Sequence, residues 1–336
     1  MAAEDGGEKH QSFGWDKRHV SCRWSRKYDT LMAMRSSISP PPVASAGRAL
    51  FLWCGTLVLV AAAFGVTFEF FVRTKLGQWI DEAALLGGQA FLAADKPRAS
   101  ALAFLDHMPA VSALLAGGFV LIALIRRRDF LRPGVALMMM LGATGSTQLL
   151  KHVLLERPDL NISAASVNSF PSGHTTFAAA SMAAIFIVSP LAQRSWVALL
   201  GWIYAAIAGA STLVLGWHRP SDVIAAYLVV AWWCMVAGLF LHRLHGKPEA
   251  PQDAERIIPS AAGRLLMFAG VAGAIVVVLF LCAALSMPHP VIGTLGSVQL
   301  LFFLVVGLAL ILGTAMLVGM LVHGIFNRYG APIRFR

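Results

Sequence analysis

The sequence predicts an all-α integral membrane protein with about eight transmembrane helices, and three observations carry that expectation. Of the 336 residues, 57% are hydrophobic and only 13% are charged, about half the charged share of an ordinary soluble chain. Eight stretches approach the roughly 20 apolar residues that a helix needs to cross a bilayer. Lys and Arg crowd alternate connections, as the positive-inside rule demands of a multi-pass chain. The formal charge of +10 therefore reads as an orientation signal. It does not read as a nucleic-acid footprint, because no basic stripe interleaves with aromatic residues. Cys22, Cys54, Cys234 and Cys282 lie far apart with no ligand spacing, which makes them packing residues.

In chain order, residues 1–46 are polar and basic, contain the Pro40-Pro41-Pro42 run and read as a disordered cytoplasmic tail. Apolar stretches follow at 49–72, 108–125, 134–154, 173–191, 196–216 and 220–242, a six-helix core within 47–242. Between the first two, segment 73–107 mixes charge with apolar spacing at Trp79, Ala83, Leu86 and Phe91. That pattern predicts a helix along the membrane interface. A polar cytoplasmic linker, 243–263, separates the core from stretches 264–286 and 297–323, read as a transmembrane pair appended over 264–323 before a cytoplasmic tail, 324–336. With eight crossings, the basic clusters fall on one side: Arg23 to Arg48, Arg126 to Arg132, Arg243 to Arg264, and Arg328 to Arg336. Both termini are then cytoplasmic and the remaining loops face outward, in a plasma-membrane protein.

Three clusters at the edges of the apolar stretches share the outward side. They are Lys151 with Arg157 and Pro158; Pro171, Ser172, Gly173 and His174; and Ser211 with His218 and Asp222. Taken singly, each has an ordinary explanation: a snorkelling cation, a helix-start turn, an interfacial histidine. Their convergence on one face points to the handling of phosphate. A phosphate needs fixed cations and N–H donors aimed at its oxygens, and the start of a helix at Ser172, Gly173 and His174 offers such donors with a favourable dipole. Lys151 and Arg157 supply formal charge. Hydrolysis further needs a nucleophile and an acid for the leaving oxygen. His218 has Asp222 one helical turn away, so the carboxylate can hold one ring nitrogen and leave the other to attack, the orienting logic of a catalytic triad. His174 then suits the acid. No cluster of metal-ligand type occurs, and no cofactor is expected.

These residues resemble the signature of the type-2 phosphatidic acid phosphatase superfamily, the lipid phosphate phosphatases, which also includes the vanadium haloperoxidases. The family pattern is Lys, six residues, Arg-Pro; then Pro-Ser-Gly-His; then Ser-Arg, five residues, His, three residues, Asp. Here Pro171 to His174 match in full, preceded by Phe170, and Ser211, His218 and Asp222 keep their spacing. The resemblance covers about 150–222. It implies that His218 forms a phosphohistidine, Asp222 orients it, and His174 protonates the leaving group and then activates water. Lys151, Arg157, Ser172, Gly173 and Ser211 are implied to bind phosphate oxygens. Two departures stand out: five residues, not six, separate Lys151 from Arg157, and Thr212 occupies the position of the family's Arg. Arg219, beside His218, is the nearest substitute cation.

The implied activity is hydrolysis of a lipid phosphate or diphosphate, of polyprenyl or glycerolipid type, on the extracytoplasmic face. The partners expected are that substrate and membrane lipids, with no nucleic acid. Two other readings remain open at this level: a related phosphoryl or head-group transferase, and a lipid-phosphate binding or transport protein that has lost activity, which Thr212 favours.

Overall fold

The computed structural model describes residues 46–92, 95–127, 130–162, 168–244 and 260–329. The expected tail at 1–46, apart from its last residue, most of the linker at 243–263 and the end of the tail from 330 lie outside the described residues. The described residues form nine α-helices and no strand: α1 (Ala46–Thr67), α2 (Lys75–Leu92), α3 (Asp95–Arg127), α4 (Leu131–Leu149), α5 (Gly173–Val188), α6 (Leu191–Val214), α7 (Pro220–Leu244), α8 (Ala261–Ser286) and α9 (Ser297–Tyr329). Wider π-helical turns prolong α1 over Phe68–Val72 and α4 over Leu150–Leu154.

All eight apolar stretches are helical. Six helices, α1, α3, α6, α7, α8 and α9, are long and apolar enough to cross a membrane, which makes this an all-α integral membrane protein. The other two are shorter, for a physical reason. Helix α5 has 16 residues and is sheathed by α3, α4, α6 and α7, with most of its side chains buried. Helix α4 runs for 19 residues before its π turn and ends in polar Thr144, Ser146, Thr147 and Gln148. A helix enclosed by others need not match the bilayer itself, and polar groups are tolerated on faces turned to protein.

The last two helices attach unequally. Helix α8 packs mainly on α9 and α6, and little of it is buried, whereas α9 also packs on α2, α6 and α7. Helix α2 forms where a helix was expected, but its middle is enclosed by protein: Gln78, Trp79, Ile80, Asp81, Glu82, Ala83 and Ala84 are all buried. An interfacial helix would keep its polar face in water. Here the polar face turns inward, onto the loops that carry the three clusters.

Candidate active site

Each loop is held by identifiable local chemistry. Helix α6 ends in a Schellman motif: Gly216, with φ of +71°, donates its N–H to the carbonyl of Leu213 at 2.9 Å, and Trp217 donates to Thr212 at 2.9 Å. Glycine adopts this left-handed conformation without the clash a Cβ brings. The reversal delivers His218 directly to the start of α7. There Arg219 is the N-cap, Pro220 the first helical residue and Asp222 the third, and Asp222 reaches back to accept the Arg219 N–H at 3.1 Å. This is the carboxylate half of a capping box.

Asp222 is fully buried and is the hub of the site. Its Oδ2 accepts from His218 Nδ1 at 3.3 Å and from Ser169 Oγ at 2.7 Å. Its Oδ1 lies 3.6 Å from Arg157 Nη2, an ion pair too long for a formed hydrogen bond. Its main-chain carbonyl accepts the Ser172 N–H at 2.9 Å, which docks the start of α5 on the start of α7. The first and third clusters therefore meet at one carboxylate, with the second bonded to the same residue's backbone.

Arg157 carries a further feature. Its side chain is 4% exposed, and among the described residues Nε, Nη1 and Nη2 find no hydrogen-bond acceptor. Burying a guanidinium with its donors unmade is costly unless an anion meets it. The short spacing from Lys151 is taken up locally: the π turn closes with Leu155 donating to Leu150 at 2.9 Å, and the chain then runs extended through Leu155 ahead of Pro158. Asn168 pins this segment, donating from Nδ2 to the carbonyls of Lys151 at 3.2 Å and Leu155 at 2.9 Å.

At the start of α5, Ser172 is spent on structure. It is fully buried, its Oγ caps the helix by accepting from Thr175 N at 3.4 Å, and its N–H goes to Asp222. Gly173 and His174 retain first-turn N–H groups with no partner among the described residues. His174 is half-buried, feels the charges of both His218 and Lys151, and lies with its ring centroid 5.4 Å from that of Trp217. Phe170, bonded to Pro171 through a cis peptide, is fully buried and packs against Phe64 and Phe68 at 5.5 and 5.6 Å between ring centroids. Ser211 is buried on the last turn of α6.

Arg219, the nearest substitute cation by sequence, is engaged by other groups. Its Nη2 lies 2.7 Å from Glu82 Oε2, its Nε donates to the same oxygen at 2.8 Å, and its Nη1 donates to Ser169 Oγ at 3.3 Å. A guanidinium neutralised this way adds little to the binding of an anion. Thr212 does not fill the gap: it is fully buried and its Oγ1 donates to the Gly209 carbonyl at 2.7 Å.

Sequence reasoning missed Ser169, Asn168 and three residues of α2. Gln78 donates from Nε2 to the carbonyls of Val72 at 2.8 Å and Pro158 at 3.0 Å. Asp81 accepts the Ser221 N–H at 3.1 Å and its hydroxyl. Burial, and next the charge of Asp222, push the Asp81 carboxyl up to about 7, against the pull of Arg157, Ser221 and Arg219. The available signal was three polar residues at 78, 81 and 82 on one face of a largely apolar helix.

A family model described as PAP2 superfamily matches residues 133–246. Two relatives, both named lipid A 1-phosphatase, come from Rhizobium johnstonii (strain DSM 114642 / LMG 32736 / 3841) and Rhizobium etli (strain ATCC 51251 / DSM 11541 / JCM 21823 / NBRC 15573 / CFN 42). The first is 33% identical over 75 residues, covering 22% of this chain and 29% of the relative; the second is 32% identical over 79 residues, covering 24% and 32%. The chain thus spans about three-tenths of the length of the relatives it matches. No solved structure gives a significant match. The matched residues, 133–246, contain all three clusters and the carboxylate that joins them.

Proposed function

We propose that this membrane protein hydrolyses a lipid phosphate or diphosphate through a phosphohistidine on His218, at a site on the extracytoplasmic face of the plasma membrane. The observation that carries the reading is the buried Arg157 guanidinium, its donors unmatched among the described residues, held 3.6 Å from the carboxylate that orients His218. An incoming phosphate oxygen supplies the missing acceptors. The match of residues 133–246 to the PAP2 superfamily model and the relatives named lipid A 1-phosphatase support a lipid phosphatase, and lipid A joins the polyprenyl and glycerolipid phosphates as a substrate class to test.

In this mechanism His218 keeps its Nδ1 proton on Asp222, and Nε2 attacks phosphorus. The bond from phosphorus to the leaving oxygen breaks, and His174 gives that oxygen its proton. His174, now basic, takes a proton from water, whose oxygen attacks the phosphohistidine. Phosphate departs and His218 returns to its starting state. Arg157, Lys151 and the N–H groups of Gly173 and His174 hold the non-reacting oxygens throughout, with Ser211 beside them.

The test is inorganic phosphate release by the full chain in detergent from phosphatidic acid, a polyprenyl diphosphate and lipid A, with a chelator present. Release from at least one substrate, abolished in His218→Ala, is expected. Thr212 and the neutralised Arg219 favour a second reading, a lipid-phosphate binding protein without turnover. Saturable binding of these lipids with no phosphate release from any of them would establish that alternative.

A further inference from the structure

The start of α7 has an unusual problem. Its N-cap is Arg219, whose side chain has no oxygen to accept the orphan N–H groups of the first turn. Those groups belong to the very turn that aims His218 and Asp222. Asp222 satisfies the Arg219 N–H, but the N–H of Ser221 is left over. It is met by a residue 140 positions away: Asp81 of α2 accepts it at 3.1 Å and accepts the Ser221 hydroxyl as well. One residue further on, Glu82 takes the Arg219 guanidinium through Nε and Nη2 at 2.8 and 2.7 Å. Gln78, one turn earlier on the same face, donates to the Pro158 carbonyl immediately after Arg157. All three side chains are buried.

We infer that Asp81 and Glu82 of α2 are positioning residues of the active site, Asp81 capping α7 from outside its own chain segment and Glu82 holding the side chain of its N-cap residue, so that together they fix the geometry of the His218–Asp222 pair. The inference rests on the phosphatase reading above and extends it to a helix outside the matched segment. Three physical consequences follow. The acceptor oxygen of Asp81 at the first turn of α7 meets an N–H at the positive end of its dipole. Glu82 keeps Arg219 away from Asp222, where a second guanidinium would compete with His218 for the carboxylate. Asp81, with its carboxyl raised by burial, is held by contacts that an amide can also make, accepting from the Ser221 N–H and donating to its hydroxyl.

The experiment uses the full chain in detergent and phosphate release from phosphatidic acid, lipid A or a polyprenyl diphosphate, whichever the wild type hydrolyses. Glu82→Gln removes the ion pair that holds Arg219 on α2 and lets it shift toward Asp222. Its kcat is expected to fall on the order of 10²-fold, the usual consequence of a small misplacement of reacting groups, while KM stays within about threefold. The acid limb of its kcat/KM profile is expected to move to lower pH, because a second cation near Asp222 disfavours the His218 imidazolium. Asp81→Asn should retain most of the rate, Asp81→Ala should lose about tenfold, and the exposed control Lys75→Ala should match wild type. In the double variant Glu82→Gln/Arg219→Gln the losses should be less than multiplicative. That variant also leaves no lone buried charge if a single substitution fails to fold.

A role only in stability would lower the yield of folded protein and leave the acid limb where it is. Wild-type kcat and an unmoved acid limb in Glu82→Gln, or strictly multiplicative losses in the double variant, overturn the inference. Histidine-selective NMR titration of His218, compared between wild type and Glu82→Gln, reads the same positioning without turnover. No phosphate release by the wild type therefore defeats only the phosphatase reading, and an unshifted His218 titration defeats this one.

Discussion

Asp222 gives one oxygen to Ser169, the Arg219 N–H and His218, and the other to Arg157, so an amide in its place cannot serve both sides. Asp222→Asn presents a single acceptor and turns an N–H group toward either the His218 donor or the Arg157 cation. Its kcat should fall by about 10²-fold or more, as when a triad histidine loses its orienting carboxylate, while binding of the lipid measured at equilibrium persists. Arg157→Lys keeps a charge but loses the two-point fork; a loss of about 10²-fold to 10³-fold in kcat/KM is expected, the range for removing one preorganised donor of a developing charge. An undiminished kcat/KM would remove Arg157 from the phosphate site. At this scale the sequence was informative about side chains that meet through short spacings, such as His218 and Asp222 four residues apart. It was silent on the partners of Arg219 and Ser172, which are set by which groups the fold happens to bury beside them.

Helix α2 shows how an element can be legible in kind and illegible in role. Its apolar periodicity announced a helix, but periodicity does not say whether the remaining polar face meets water or other loops. Burial of Asp81 gives that face a measurable signature. The carboxyl is raised from 3.8 to about 7 in the folded chain. Between about pH 4 and pH 7 the unfolded chain therefore releases a proton that the folded chain keeps, and stability falls as pH rises through that window, then levels off above it. The penalty is on the order of a few kcal/mol. Asp81→Asn removes it, so thermal unfolding in detergent should fall more between pH 5 and pH 8 for wild type than for the variant; parallel curves would contradict the assignment. The turn at the end of α6 makes a second prediction. Gly216→Ala forces a Cβ into φ of +71°, and the nearby Gln89 amide, at the end of a flexible side chain, can move aside. The cost is then the conformational one, about 1–2 kcal/mol, visible as a lower Tm.

For the whole molecule, the apolar stretches were enough to place eight helices in order, because a membrane constrains elements by length before any packing is decided. They said nothing of which helix shelters which, since lipid and protein interiors are equally apolar; the enclosure of α5 and the central place of α9 come from packing alone. Arg48, Arg132, Arg243, Arg264 and Arg328 sit at the ends of α1, α4, α7, α8 and α9 remote from the clusters, which supports the proposed sidedness. In a cysteine-free background, Asn161→Cys should react with an impermeant thiol reagent in intact cells and Gln252→Cys should not; the reverse pattern would turn the site to the cytoplasm. The bridges from Glu82 to Arg219 and from Asp81 to Ser221 span 137 and 140 positions of chain, and the matched segment contains only one end of each. A polypeptide severed between α3 and α4 would therefore leave Glu82 on one half and Arg219 on the other, each a buried charge whose counter-ion resides on the other half. Produced separately, neither half can be completed, whereas produced together in one membrane they should find each other and complement.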